Sequence, residues 1–193
     1  MSRKKVQEKK KFSGKKKFVK GRAVKQKAVK PKKREIREWE KQGLIREGIF
    51  IGNQKGFGFV EVEGEEEDIF IPANATGTAM HQDHVQVLLG KEPKKGKRQE
   101  GTVIRILERA NQEIVGTFQR ERDYGFILCD NQKFSKDVYI SAKNSKGVRD
   151  GDKVVAEIID YGDASHKPEG RITENLGSIN APGTDILAIV KSY

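Results

Sequence analysis

The sequence predicts an all-β fold, in which two consecutive five-stranded barrels follow a disordered basic tail and a short helix. Beyond residue 46, short runs of β-branched and aromatic residues alternate with Gly, Asn and Asp, which is typical of small barrels. A block of such runs recurs about 68 residues further along the chain. The chain has 193 residues, of which 35% are apolar, so two small domains and a polar tail fit its length and composition.

The repeat consists of four matching segments in each half of the chain. In the first half they are Gly48-x-Phe50, Lys55–Val60, Asp68–Ile71 and Asp83-x-Val85, and in the second Gly116-x-Phe118, Arg122–Ile127, Asp137–Ile140 and Asp152-x-Val154. One unit has about the length of a five-stranded barrel. We therefore interpret the chain as two tandem modules of the same architecture.

Nine runs are candidate strands, and two segments are candidate helices. The strands are Ile49–Ile51, Phe57–Val62, Ile69–Ile71, Val85–Leu89, Thr102–Leu107, Glu113–Phe118, Gly125–Cys129, Val138–Ile140 and Val154–Ile159. Residues 32–45 predict a short helix that ends at Gly43 and docks on the following module through Trp39. A second short helix is predicted over Thr184–Val190, after Pro182-Gly183.

These patterns set the predicted domain boundaries. They are 1–34 for the disordered tail, 35–46 for the short helix, 47–92 for the first barrel core, 93–112 for a linker and shared strand, 113–178 for the second barrel and 179–193 for a C-terminal segment.

The positive charge is concentrated in the tail. The net charge is +11, yet residues 1–34 alone carry 17 Lys or Arg and one acid, and residues 47–193 have a net charge of −5. Lys15, Lys16 and Lys17 are candidate phosphate contacts. The alternative is a tail that only improves solubility. Any nucleic-acid binding by the two modules must use local surfaces, because their overall charge is negative.

Aromatic residues of each repeat are predicted to share one face of the sheet, because side chains alternate along a strand. Phe57 and Phe59 lie opposite Gly58 and Val60, and Phe70 lies opposite its two isoleucine neighbours. In the second repeat Tyr124, Phe126 and Tyr139 occupy the matching positions. Exposed aromatic rings can stack on bases, and the intervening glycines would let a base approach. The alternative is that these rings fill the barrels.

Charged residues precede both aromatic strands. Lys55 and Arg122 are placed to contact a phosphate or to stack on a base.

We find no catalytic site. His81 and His84 are expected to be exposed turn residues, His166 stands alone among polar residues, and Cys129 is expected to be a buried, inert thiol. The acidic run from Glu61 to Asp68 predicts a solvated hairpin loop without metal.

Several functional classes are disfavoured by composition. A single cysteine allows no internal disulfide, which fits a reducing compartment. We find no apolar run long enough to cross a membrane and no secretory signal, so a cytoplasmic protein that does not bind membranes is expected.

The aromatic segments Lys55–Val60 and Asp68–Ile71 resemble the two nucleic-acid-binding motifs of bacterial cold-shock domains, which are OB-like barrels. Phe50 lies where those domains carry a further stacking aromatic. The segments Gly101–Ala110 and Pro182–Val190 resemble the junction and the end of the N-terminal tandem cold-shock region of ribonuclease R, in the ribonuclease II (RNB) exoribonuclease family. The resemblance covers residues 44–193.

The resemblance implies the RNA-recruiting part of a 3′→5′ exoribonuclease that degrades RNA. Its catalytic domain, with magnesium, would begin where this chain stops, so we expect no cofactor and no nuclease activity in these residues. Asp123 replaces the motif glycine of the second module, which is expected to weaken base contact there. The implied RNA-binding residues are Phe50, Lys55, Phe57, Phe59, Phe70, Phe118, Arg122, Tyr124, Phe126, Tyr139, Lys15, Lys16 and Lys17.

Two functions remain open at this point. One is the RNA-delivery region of a truncated or split nuclease, and the other is an independent, non-catalytic RNA-binding or chaperone protein. Binding of single-stranded DNA is a weaker third possibility. The expected partner is single-stranded or structured RNA, the ribosome is a further candidate, and the protein is expected to be a monomer.

Overall fold

The computed structural model describes residues 31–93, 96–163 and 165–178, together with Asn180, Gly183, Ala188 and Ile189. Residues 1–30 of the predicted basic tail and most of the predicted C-terminal helix lie outside these residues, whereas Lys33 and Arg34, predicted to end the disordered tail, are helical. The elements are α1 (Lys33–Lys41), β1 (Ile45–Gly52), β2 (Gly58–Glu61), β3 (Ile69–Ile71), β4 (His84–Leu89), β5 (Gly101–Glu108), β6 (Glu113–Arg120), β7 (Tyr124–Cys129), β8 (Val138–Ser141), β9 (Asp152–Asp160) and β10 (Glu169–Ser178), with a short 3-10 helix at Ala142–Asn144.

The first module is a five-stranded sheet with the order β3-β2-β1-β4-β5. All four pairings in it are antiparallel. Phe70 in β3 also forms a parallel bridge with Glu100, and its amide N–H donates to the Gln99 carbonyl at 2.8 Å. The two edges of the sheet therefore meet just before β5 begins.

The second module closes into a barrel with the order β10-β8-β7-β6-β9. Its closure repeats that of the first module, since Tyr139 pairs in parallel with Glu169 and its N–H donates to the Pro168 carbonyl at 2.8 Å. The prediction of an all-β chain with two five-stranded, OB-like modules is confirmed.

Strand β10 was missed by the sequence analysis, and β5 was assigned wrongly. β10 is rich in polar residues and its pairing with β9 shifts register three times, so it lacks a regular alternation. A usable signal was present, because Glu169-Gly170 repeats Glu100-Gly101 at the spacing of the modules. β5 pairs with β4 and completes the first module, so it is not a strand shared by both.

Helix α1 ends earlier than predicted, at Lys41, and β1 already begins at Ile45. Gly43 has φ +66°, and its N–H donates to the Glu40 carbonyl while that of Leu44 donates to Trp39. This double hydrogen bond is the Schellman ending that glycine favours. No residue of α1 is buried, and Trp39 is only half-buried, so its docking role remains a prediction.

A network of polar side chains joins the two modules. Arg109, in the connection after β5, donates to the fully buried carboxylate of Asp83 at 2.6 Å. The same guanidinium lies 3.7 Å from the centre of the Tyr161 ring in the second module. Asn111 donates its amide to the His81 carbonyl at 2.6 Å and accepts the Tyr161 hydroxyl at its own carbonyl at 2.9 Å. One arginine thus contacts both modules at once.

Backbone and side-chain packing complete this junction. A Cβ atom at Gly52 would lie 2.5 Å from the carbonyl oxygen of Lys133, so the second module approaches β1 too closely for any side chain. Met80 of the first module belongs to the apolar cluster of the second barrel. The two barrels therefore form one packed unit.

Among the described residues, no helix is long and apolar enough to span a bilayer.

Replacement of Arg109 by methionine should lower the free energy of unfolding by about 3 kcal/mol, because it leaves the carboxylate of Asp83 buried without its charged partner. Urea denaturation measures the effect. Arg171→Met is the matched control, since its pair with Glu157 is exposed and should contribute about 1 kcal/mol or less. Equal losses in both variants would contradict the assigned role of Arg109.

Candidate nucleic-acid interface

Three phenylalanines form a cluster on the outside of the first module, which we call the first platform: Phe57, Phe59 and Phe70. Their ring centres lie 5.7 to 5.9 Å apart, and each ring is half-buried. Phe59 and Phe70 are directly paired across β2 and β3. Part of each apolar ring remains exposed to water, which is unfavourable. A flat apolar ligand that contacts these rings therefore gains binding free energy.

The second module carries the matching cluster, the second platform: Tyr124, Phe126 and Tyr139. Its ring centres are 5.5 to 5.9 Å apart, and Phe126 is paired with Tyr139 across β7 and β8. Tyr124 is the most open ring, with 37% of its surface exposed. The predicted division of faces is confirmed in both modules, because the residues between these aromatics are buried.

Two cations lie over the platforms, and sequence reasoning missed both. Arg98 lies 5.2 Å from the centre of the Phe59 ring, and Lys167 lies 4.5 Å from that of Phe126. Both precede the closing strand of their module at the same position of the repeat. The matching Glu-Gly pairs that follow them could have revealed this equivalence. A cation beside an exposed ring can contact the phosphate of a stacked nucleotide.

Phe50 and Phe118 were predicted to stack on bases, but the structure places both rings in the barrel interiors. Their side chains are 3% and 0% exposed, and they belong to the two barrel cores. A Cβ atom on Gly58 or Gly125 would lie 2.4 Å from the ring of the corresponding phenylalanine. These two glycines therefore make room for an interior ring, and do not open the outer face to a base as predicted.

Only some of the predicted basic contacts lie among the described residues, and the turns before the two platforms differ in conformation. Lys55 and Arg122 are exposed in the turns that precede the platforms. Lys15, Lys16 and Lys17 lie outside the described residues. Gly56 has φ +88°, whereas Gln82 is the sole described non-glycine residue with positive φ, so Asp123 does not adopt the conformation of Gly56. The second module accommodates Asp123 by forming a different turn.

All three histidines differ from expectation, and His84 is half-buried at the start of β4 instead of exposed in a turn. His81 is 6% exposed and therefore buried, contrary to the predicted exposed turn. His166 is not alone, because its ring contacts Asp160 and Asp163, and hydrogen bonding to Asp160 raises its pKa. Within the described ranges, no group of three His, Cys, Asp or Glu side chains is arranged to hold a metal. Glu63 to Glu67 are all exposed, as predicted for a solvated loop.

Two family models match the chain, one in each module. The model of the ribonuclease B OB domain matches residues 48–106, and that of the cold shock domain matches residues 126–193. Ribonuclease R of Vibrio parahaemolyticus is 34% identical over 157 residues, which cover 80% of this chain. The chain spans only 19% of the length of that relative.

Solved structures share the fold at low sequence identity. Yeast Ssd1, a pseudonuclease, superimposes with a TM-score of 0.72 at 19% identity, over 86% of this chain and 27% of that one. Mycoplasma genitalium RNase R, in complex with ribose-methylated single-stranded RNA, gives a TM-score of 0.65 at 21% identity, over 75% of this chain and 23% of that one. Both similarities support the tandem arrangement of the modules.

Cys129 should react very slowly with a thiol reagent in the folded protein at pH 8. Burial, with a smaller contribution from Asp137, raises the pKa of its thiol to about 12, so almost no reactive thiolate is present. Absorbance of a coloured disulfide reagent measures the rate. Urea should restore ordinary reactivity, and the chain has no second cysteine to confuse the result. Rapid reaction before unfolding would contradict the inert role.

Proposed function

We propose that this chain binds single-stranded RNA on its two platforms. The premise is that it belongs to the family of tandem OB and cold-shock domains found in ribonuclease R. The observation that supports this most strongly is the repeated geometry. Each module presents three clustered rings, with a cation over one of them, on the face opposite its core. Such a surface suits unpaired bases, whose flat faces are free to stack.

Stacking supplies the affinity of this proposed site, and its charges position the strand. Stacking of a base on an aromatic side chain contributes about 1–3 kcal/mol and tolerates any base, so binding with little sequence preference follows. The exposed guanidinium of Arg98 and the ammonium of Lys167 are close enough to meet the adjoining phosphates. The two platforms need these local cations, because residues 47–193 carry a net negative charge.

We place this binding in the recruitment of RNA by a ribonuclease R-like exoribonuclease of the cytoplasm. The similarity to ribonuclease R over 80% of the chain supports this context. RNA cleavage and its magnesium ions would be supplied by a catalytic domain, and the two modules would hold the strand. Structured RNA and the ribosome are further partners of the same proposal, since both present unpaired segments.

Simultaneous replacement of Phe57 and Phe59 by alanine should weaken binding of single-stranded RNA by a few kcal/mol at most, at about 1–3 kcal/mol for each base that no longer stacks. The dependence on salt should stay nearly unchanged, because no charge is removed. Fluorescence anisotropy with a labelled oligonucleotide measures both quantities. Leu107→Ala is the control, since it removes an exposed apolar side chain from β5. Unaltered affinity in a folded double variant would refute the platform.

Deletion of residues 1–34 should instead flatten the salt dependence of binding. The slope of log affinity against log salt concentration should fall by about 0.7 for each phosphate that the tail binds in the full chain. The same anisotropy titration, repeated at several salt concentrations, measures the slope. An unchanged slope would show that the tail only increases solubility.

A further inference from the structure

A narrow cleft separates the two barrels and is lined by both of them. Gly52 and His81 lie on the side of the first module, and Lys133, Phe134 and Lys136, from the loop between β7 and β8, lie on the side of the second. Its interior has a volume of only about 20 Å³. That is room for one small polar group, of the size of a water molecule or a phosphate oxygen, and not for a base.

His81 lines this cleft and carries a buried polar atom without a partner. Its side chain is 6% exposed, and its Nδ1 has no hydrogen-bond partner among the described residues. A buried polar atom without a partner costs about 1–3 kcal/mol. The backbone around this residue is held in place, because the Asn111 amide donates to the His81 carbonyl at 2.6 Å and the N–H of Gln82 donates to the Phe50 carbonyl at 2.7 Å.

The protonation state of His81 fits a role as a neutral donor. Burial, and then the positive charge of Lys133, lower the pKa of His81 against the opposing effect of the Phe50 backbone, and the lowered pKa favours the neutral ring. A neutral imidazole with its proton on Nδ1 can donate one hydrogen bond into the cleft. An acceptor that also carries negative charge would satisfy this atom and Lys133 together.

Two lysines supply the positive charge at the cleft. Lys136 is half-buried, and its ammonium donates only a long hydrogen bond, of 3.4 Å, to the Gly77 carbonyl. Burial lowers its pKa by more than the negative charge of Asp163 raises it. Lys133 is exposed. Neither ammonium lies within 4 Å of a carboxylate in the described part of the chain, so both are available to an anion.

The cleft is also lined by residues close to each platform. Phe57 of the first platform lines it on one side. Pro168 lines it as well, and this proline directly follows Lys167 and binds the backbone of Tyr139 in the second platform. The two lysines and His81 therefore line the same cleft as residues that belong to, or adjoin, the two platforms.

We propose that this cleft is a phosphate-binding subsite for an RNA strand that runs continuously from the first platform to the second. One phosphodiester oxygen enters the cleft and accepts from His81, while Lys133 and Lys136 neutralise its charge. The subsite rests on the proposed RNA binding and extends it, because it makes the two platforms parts of one site. Since the junction fixes their separation, an oligonucleotide that reaches both gains affinity from the linkage itself.

The test compares two oligonucleotide lengths on the full chain. An oligonucleotide of about 4 nucleotides occupies one platform, and one of about 12 reaches both. Lys133→Gln with Lys136→Gln should leave the affinity for the short one unchanged. It should weaken binding of the long one and reduce its salt slope by about 0.7 for each phosphate that is no longer neutralised. Arg105→Gln is the control, because it removes an exposed positive charge from β5 at a residue that does not line the cleft.

Nuclear magnetic resonance of the His81 ring provides a second measurement that needs no substitution. Its signals should shift with the long oligonucleotide and stay in place with the short one. If short oligonucleotides bind but the lysine variants and the His81 signals behave alike for both lengths, the cleft is only a water-filled crevice and the subsite is overturned. If neither length binds the unaltered chain, the proposed RNA binding fails, and the subsite fails with it.

Discussion

Contact between an interior phenylalanine and a glycine determines which surface each module offers to a ligand. The rings of Phe50 and Phe118 occupy the space that a side chain on Gly58 or Gly125 would need. Each ring thereby fixes its glycine toward the core, and alternation along the strand turns the flanking aromatics outward. A larger residue at either glycine would meet a rigid ring in a packed interior, where there is little room to adjust. The platforms are therefore a consequence of how the cores are filled.

The sequence was sufficient for features that depend on local alternation and repetition. The outward position of Phe57, Phe59 and Phe70 followed from the period of two along a strand, and the architecture followed from the repeat. It was insufficient where distant segments decide the outcome. Phe50 was assigned to stacking by the resemblance to cold-shock domains, and nothing local reveals the glycine on the neighbouring strand that receives its ring. Arg98 lies in a basic loop far from Phe59 in sequence, and only closure of the sheet brings them together.

Charge is distributed so that binding by the modules depends on a few placed cations. The loop after β2 exposes several glutamates next to the first platform. A strand that bound by charge alone would avoid this surface. The apolar rings counter that repulsion, and Arg98 restores positive charge where a stacked nucleotide would carry its phosphate. Under the proposed function, the tasks of the chain are separate, because the tail would attract any polyanion while the platforms would select unpaired bases.

The two platforms differ less in geometry than the sequence suggests. Asp123 was expected to weaken the second module, yet its rings are spaced like those of the first. The difference is chemical, because Tyr124 and Tyr139 add hydroxyl groups and Asp123 adds an exposed negative charge at the start of β7. A hydroxyl can hydrogen-bond a ribose or a base edge, which phenylalanine cannot do. The second module is thus better suited to orienting a nucleotide, and the first to stacking on it. The contacts of Arg109 with both modules keep the two platforms in one packed unit, as the proposed continuous strand requires.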